Sequence, residues 1–558
     1  MTARVRSGLL AVASGLLLAF ALPQAIPWIS LDELDPAGHL EWLAWFGLVP
    51  ALFALDLARS GRQAALVGLL SGLAYFFASI WWVNHAMTSF GGVPFPLALL
   101  GLTLLVLFMA AHWALAFFCS FTIRARLGWP LFVHLPAVWA GTELLRNYLF
   151  TGFPWGNLGY LQARHPTVAQ LASVTGIYGI AALLVAVNTG LYALLASLRR
   201  RTPFPKRTVA ALGVLLLAAL AYGRVHLEGV RARSRLAPRL KVGLVQGNVN
   251  QSVKNAHMTY AEYILGRYLP LTLEADRRGA DLVAWPEASY PWLVPSGMAS
   301  FADPRAGLSP LSRAHLLLGA GTVLERRGPG GARVGSGANT LFLLRPDLSV
   351  EGTYSKHHLV PFGEYVPGLV QGLLRSVVPE MVQQVPGRTL RVLSFAPEKG
   401  ASPVRLAPMI CYDAIFPEVN VDFAREDPDL LVNPTNDAWY GYSSGPYQFL
   451  AMVRMRAIEV EKAVARPAYA GISAFIDPTG EVLPGALPVG PVDPELAPDP
   501  DEPPRLLLGE VPLLRGRTLY TRFGDLFAWA ASAYGALVLG FALLPRARTR
   551  PKRQGTVA

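Results

Sequence analysis

Long runs almost free of charged residues dominate the first 225 positions of the chain and return once near its end. They lie near residues 8–29, 40–57, 64–83, 97–123, 131–149, 168–198 and 208–223, with an eighth near 526–544. A helix crossing a bilayer needs roughly 20 mainly apolar residues, so each run is read as a candidate span. The second and seventh are short. The first, with Arg4 and Arg6 ahead of it, also has the shape of a cleavable signal. The pattern predicts a polytopic α-helical membrane domain over 1–224, and a basic, irregular linker over 225–239.

From Leu240 to about Gly516 the texture changes to short apolar runs alternating with turn residues and amphipathic stretches, the signature of an α/β domain. Strands are expected at 241–246, 281–285, 315–319, 339–345, 406–411, 429–433 and 471–476, and helices at 258–278 and 446–463. The second helix carries Met452, Met455, Ile458 and Glu459 at helical spacing, a mixed face suited to packing on a sheet. Residues 484–505, rich in Pro, Asp and Glu, read as a surface loop. Residues 517–545 form a return segment and the last span, followed by a basic tail over 546–558.

Composition agrees. The 558 residues are 53% hydrophobic and only 15% charged, against about 25% charged in soluble domains. Both disorder and a purely soluble protein are excluded. The net charge of +12 would suggest nucleic acid were it spread over one face. It is not. One set of inter-span connections, with the N-terminus and the tail, holds sixteen basic residues, while the alternate connections hold only Arg146 and Arg164. That asymmetry predicts both termini in the cytoplasm and the 240–516 segment on the opposite side. Nucleic acid is therefore not an expected partner. Two cysteines, Cys119 and Cys411, cannot form a disulfide framework.

Three stretches carry candidate chemistry. Trp285-Pro286-Glu287 places a carboxylate just after a strand, either a partly desolvated base or an ordinary strand-end glutamate. Tyr354-Ser355-Lys356-His357-His358 is followed by Leu359-Val360-Pro361-Phe362-Gly363-Glu364. Lysine is only seven of 49 basic residues, so Lys356 beside an apolar run is noticeable, although a solvated turn lysine is the bland alternative. His357 and His358 have no second ligand cluster at zinc spacing, so no metal is expected. Met409-Ile410-Cys411-Tyr412-Asp413 ends a strand in a cysteine. A lone buried cysteine is usually a core residue, and Cys119, inside the fourth run, is read that way. Cys411 differs if a carboxylate and an ammonium converge on it, since together they would activate the thiol for acyl transfer.

Glu287, Lys356 and Cys411, in that order and context, resemble the Glu-Lys-Cys triad of the nitrilase (carbon–nitrogen hydrolase) superfamily. The likeness extends to the apolipoprotein N-acyltransferases of bacterial inner membranes. It covers Leu149-Phe150-Thr151-Gly152-Phe153-Pro154-Trp155 with Gly159-Tyr160 in the membrane half. In the soluble half it covers Gln246-Gly247-Asn248, the Lys356–Tyr365 run, Asn436-Asp437-Ala438-Trp439 and Thr518–Asp525. Two departures stand out. Asp413 replaces the glutamate usual after the family's Cys-Tyr, and Asn255 replaces a frequent tryptophan.

The resemblance implies a nitrilase-like αββα sandwich at 240–516 and transfer of a fatty acyl chain from a phospholipid, phosphatidylethanolamine in most of the family. The acceptor is the α-amino group of a diacylglyceryl-cysteine lipoprotein, and the route is a thioester with ping-pong kinetics. It implies Glu287 as base, Lys356 as oxyanion stabiliser and Cys411 as nucleophile, with Glu364, Tyr412 and Asp413 in support and no cofactor. It also implies a monomer in the inner membrane with a periplasmic catalytic domain. A membrane-tethered amidase using water as acceptor is the alternative, distinguished by its product. A transporter or scaffold carrying an inactive hydrolase domain would want polar residues inside several spans, which these runs lack.

Overall fold

The computed structural model describes residues 2–23, 40–256, 258–327, 333–365, 384–397, 402–441, 443–489 and 503–545. The basic tail at 546–558, the end of the first apolar run and residues 490–502 of the expected surface loop lie outside the described residues.

The first half is helical. Its elements are α1 (Ala3–Phe20), α2 (Val49–Asp56), α3 (Gly61–Ser79), α4 (Phe95–Leu127), α5 (Leu131–Tyr148), α6 (Ala172–Arg200) and α7 (Lys206–Leu236). A last helix, which we number α11 (Leu526–Leu543), packs back against α5. By length and composition α1, α4, α6, α7 and α11 can each cross a membrane. So can α3 if joined to the segment Trp82–Phe90, from which it is bent by 52°.

The run at 40–57 is not one helix. A 3-10 turn at Glu41–Trp45 leads into α2, only eight residues long. Gly47 sits at the break, where a Cβ would press on Leu18 and the Leu43 carbonyl. Backbone groups released there need partners in an apolar setting, and they have them. Leu48 N–H donates to Asn188 Oδ1 at 2.8 Å, Asn188 Nδ2 donates to the Ala44 carbonyl at 2.9 Å, and Ser14 donates to the Gly47 carbonyl. The broken segment still runs the length of the bundle. Glu41 pairs with Arg164 at one end, and Asp56 pairs with Arg124 and Arg200 at the other.

The stretch at 225–239 is also not irregular, because α7 continues unbroken to Leu236. Its basic side chains find carboxylates on the second half: His226 and Arg233 meet Glu461, and Arg231 meets Glu481 at 2.7 Å. The charge that made it look like a linker fastens a helix.

The second half contains twelve strands among the described residues. The first six are β1 (Arg239–Gln246), β2 (Leu282–Ala284), β3 (Tyr290–Pro295), β4 (His315–Arg327), β5 (Arg333–Leu344) and β6 (Val350–Ser355). The rest are β7 (Leu393–Phe395), β8 (Val404–Pro408), β9 (Leu430–Val432), β10 (Ala463–Arg466), β11 (Ala474–Ile476) and β12 (Arg505–Pro512). One sheet runs β12-β1-β2-β4-β5-β6 with β3 beside β4; the other runs β11-β10-β9-β8-β7. The central pairs β1–β2–β4 and β8–β9–β10 are parallel.

Strand periodicity of two explains the sandwich. Val242, Leu244, Leu282, Ala284, Leu317, Leu341 and Leu343 share a core with Leu406, Leu430 and Val464 of the second sheet. Their neighbours Val245, Val283, Leu316, Leu318, Phe342 and Leu344 instead pack with Ile264, Leu265 and Tyr268 of α8 (Ala261–Arg277). Both faces are buried, so the strands read as continuous apolar runs. The second sheet is covered by α9 (Pro417–Ala424) and α10 (Gly445–Val460). Helix α10 also touches α6 of the membrane half and is buried on nearly every side. Its mixed composition reflects that double contact.

Candidate active site

The three residues singled out in the sequence converge at one end of the sheets. Glu287 follows β2 in the Trp285-Pro286-Glu287-Ala288 turn, where Ala288 has φ +45°. Gly319 on β4 runs directly beneath this turn, and a Cβ there would collide with the Pro286 carbonyl. Lys356 comes immediately after β6 and is anchored by its own N–H to the Asn339 carbonyl at 2.8 Å.

Cys411 lies beyond its strand rather than within it. Strand β8 stops at Pro408, and Cys411, with φ +44°, opens a 3-10 turn at Cys411–Ile415. Left-handed backbone is unfavourable for a residue with a Cβ by about 1 kcal/mol. Two bonds hold it: Cys411 N–H to the Pro434 carbonyl at 2.8 Å, and Asn433 Nδ2 to the Met409 carbonyl at 2.7 Å. A strained turn lifts the thiol off the sheet.

Lys356 Nζ lies 2.9 Å from Glu287 Oε1 and 2.8 Å from Glu364 Oε1. Glu287 also accepts from Asn339 Nδ2 at 2.6 Å and from the Asn436 N–H at 3.1 Å. Glu287 and Thr435 are the neighbours that act most directly on the Cys411 thiol. Burial pushes Glu287 upward, but Lys356 and a second lysine, Lys254, outweigh it and hold the carboxyl below its ordinary range. Burial alone would lower Lys356, yet Glu287 and Glu364 keep it well above the usual lysine value. Burial, reinforced by the Glu287 charge, pushes the Cys411 thiol up to about 12. The resting state is a thiol facing an ionised base, rather than a free thiolate.

Asp413, fully buried, ties two of these loops together. It accepts from the N–H groups of His357, His358 and Ile410 and from the Tyr354 hydroxyl at 2.9 Å. The adjacent histidines are used in packing and backbone bonds: His358 stacks on Phe416 at 3.9 Å, and His357 Nδ1 meets the Gly387 carbonyl. Tyr412 packs edge-on against Phe416.

Lys254 and Asn339 were not singled out from the sequence, and Asn436 was quoted there only as part of the family resemblance, with no role. Lys254 Nζ donates to the Glu287 carbonyl at 3.0 Å and lies 4.2 Å from the Tyr469 ring centre. With its amide turned to suit its neighbours, Asn436 accepts from Lys254 Nζ and Trp439 Nε1, each at 3.0 Å. Burial pulls Lys254 down to about 8. The available signal for Lys254 was its rarity, as one of seven lysines, directly before the Asn255 departure.

The Thr151–Trp155 loop joins this region to the helices. Trp155 and Trp82 both donate to Gln448 of α10, and both rings contact Tyr440. Glu143 and Arg146 of α5 turn inward to brace the loop: Glu143 accepts from Leu158 N–H and Trp139, and Arg146 bonds Asn157. An aromatic cluster of Trp82, Trp155, Tyr440 and Phe449 thus joins the bundle to the second half.

A buried carboxylate, ammonium and thiol thus meet at the edge of two stacked sheets, and residues 241–489, which hold all three, match the Carbon-nitrogen hydrolase family model. Residues 14–190 match the Apolipoprotein N-acyltransferase N-terminal domain. An apolipoprotein N-acyltransferase of Geobacter metallireducens is 34% identical over 96% of this chain and 95% of its own length. One of Azotobacter vinelandii is 33% identical over 90% of each. The chain belongs to the apolipoprotein N-acyltransferase family, and its apolar helices make it a multi-pass membrane protein. Among solved structures, an amidase of Nesterenkonia sp. AN1 aligns with 48% of this chain and 92% of its own, at 21% identity and TM-score 0.30. A Saccharomyces cerevisiae member of the nitrilase superfamily aligns with 52% and 94%, at 17% identity and TM-score 0.32.

Proposed function

We propose that the chain moves a fatty acyl group from a membrane phospholipid, phosphatidylethanolamine for preference, to the α-amino group of a diacylglyceryl-cysteine lipoprotein. Glu287 takes the Cys411 proton as the sulfur attacks the ester carbonyl. Lys356, with two N–H groups engaged by carboxylates and a third to offer, stabilises the oxyanion together with the Tyr412 N–H at the start of the 3-10 turn. The lysophospholipid oxygen leaves with the proton from Glu287, and a thioester remains. The lipoprotein amine then attacks, Glu287 takes its proton, and the amide product departs as the thiol re-forms. Glu364 holds Lys356 in place, and Asp413 holds the Lys356 and Cys411 loops at a fixed separation. No cofactor enters, since thioester to amide is downhill.

The observation that carries this reading is Lys356 held between Glu287 and Glu364, with the charge of Glu287 acting on the neighbouring Cys411 thiol. The half-exposed Phe362 and Trp439, with Phe90 of the bent helical segment 5.9 Å from Trp439, give an apolar approach for a lipid. We infer a single subunit in the bacterial inner membrane with the second half periplasmic and both termini cytoplasmic. In this arrangement the broken 40–57 segment serves as a crossing and α11 returns the chain.

The test is the product. With labelled phospholipid and a lipoprotein acceptor, label should appear on the acceptor amine. Free fatty acid in its place would favour the amidase-like alternative.

A further inference from the structure

At the end of the helix bundle away from Cys411 lies a cavity of about 250 Å³ between the end of α4, the start of α5, the end of α6 and the α6–α7 connection. Arg124, Arg200, Ser197, Thr202 and Tyr192 line it, and Leu131 marks the N-terminal end of α5 at its wall. The two guanidinium groups share one carboxylate, Asp56, which also accepts from Tyr192 at 2.6 Å. Two cations against one anion leave a surplus positive charge, and a helix N-terminus adds to it. Arg200 is half-exposed, so the surplus reaches solvent or head groups.

The 18 residues of α5 put this cavity about 27 Å from the other end of the helix. At that other end Asn147 and Tyr148 bond Glu418 and Asp525 beside the second half. That span is close to the hydrocarbon thickness of a bilayer. Trp129, partly exposed and next to Pro130, has the interfacial position typical of tryptophan. Val133 and Leu198 offer exposed apolar surface nearby.

We propose that this cavity binds a negatively charged phosphate group, distinct from any acyl donor at Cys411 and in the opposite leaflet. Its chemistry suits the phosphodiester of an anionic phospholipid or a free phosphate ion. The claim stands independently of acyl transfer, because its test reads binding alone.

The test uses the full chain in phosphatidylcholine nanodiscs with and without phosphatidylglycerol, and counts retained lipids by native mass spectrometry. In parallel, thermal unfolding is followed in detergent with inorganic phosphate. Preferential retention of phosphatidylglycerol should fall about fivefold in Arg200→Gln, the effect of one basic residue at a lipid surface. It should vanish in Ala193→Phe, which puts a ring into the cavity from α6 while keeping both arginines and Asp56 in the sequence. Stabilisation by inorganic phosphate with the same dependence, without lipid preference, would assign the site to the free ion. Neither lipid preference nor phosphate stabilisation, or either one surviving both substitutions, overturns the proposal.

Discussion

Trp155 Nε1 donates to Gln448 Oε1 across 2.7 Å, and through this bond the membrane half holds the α10 helix of the second half. Trp82 approaches the same oxygen, and Gln448 Nε2 donates to the Ser79 carbonyl at 3.0 Å. All of this is buried. Gln448→Leu strips a partner from two indole N–H groups and from the Ser79 and Pro23 carbonyls, at about 1–3 kcal/mol for each buried group left unsatisfied. The expected outcome is a lower thermal midpoint and slower transfer from membrane-borne donor, with iodoacetamide labelling of Cys411 unchanged. Loss of labelling as well would mean the bond shapes the thiol site itself.

Asp413 accepts four hydrogen bonds in a fully buried position. Asp413→Ala should destabilise by at least about 3 kcal/mol, since several donors lose their acceptor together, and should abolish thioester formation. Asp413→Glu restores the residue usual in the family but adds a methylene to a filled site, at about 1–3 kcal/mol. Thermal unfolding and burst amplitude measure both.

The pH profile of acylation should be bell-shaped. Burial raises Asp413 to about 6. As pH falls through that value the carboxylate gains a proton, can no longer accept from all its donors, and the rate drops. Burial lowers Lys254 to about 8. As pH rises through it, the positive charge beside Glu287 and Cys411 is lost, and the rate drops again. Glu287, held low, and Lys356, held high, stay charged throughout. Lys254→Arg should move the alkaline limb to higher pH while keeping most activity; an unmoved limb would remove Lys254 from the account.

How much of this was legible depends on whether each feature is local. Leu316-Leu317-Leu318 reads as a strand because both faces of β4 are buried, and α4 and α6 read as helices because their apolar runs are long enough to cross a bilayer. The break at Gly47 was not legible, because it depends on Asn188 and Ser14, remote in sequence, to satisfy the released backbone. The helical course of 225–236 was missed because its partners Glu461 and Glu481 lie over two hundred residues away. Cys411 looked like a strand end because Met409 and Ile410 are as apolar as a strand; the left-handed turn depends on Asn433 and Pro434. Glu287, Lys356 and Cys411 were found because each sits in a distinctive local motif. Lys254 and Asn436 gain their positions only when the Gln251 and Asn436 loops meet.

The central claim is a covalent acyl group on one sulfur. Intact and peptide mass spectrometry after incubation with phospholipid alone should show an acyl adduct on Cys411. The adduct should persist in water, leave when a lipoprotein amine is added, be absent in Cys411→Ala and be undiminished in Cys119→Ala. An adduct on any other residue, or one that water removes as fast as it forms, would contradict it.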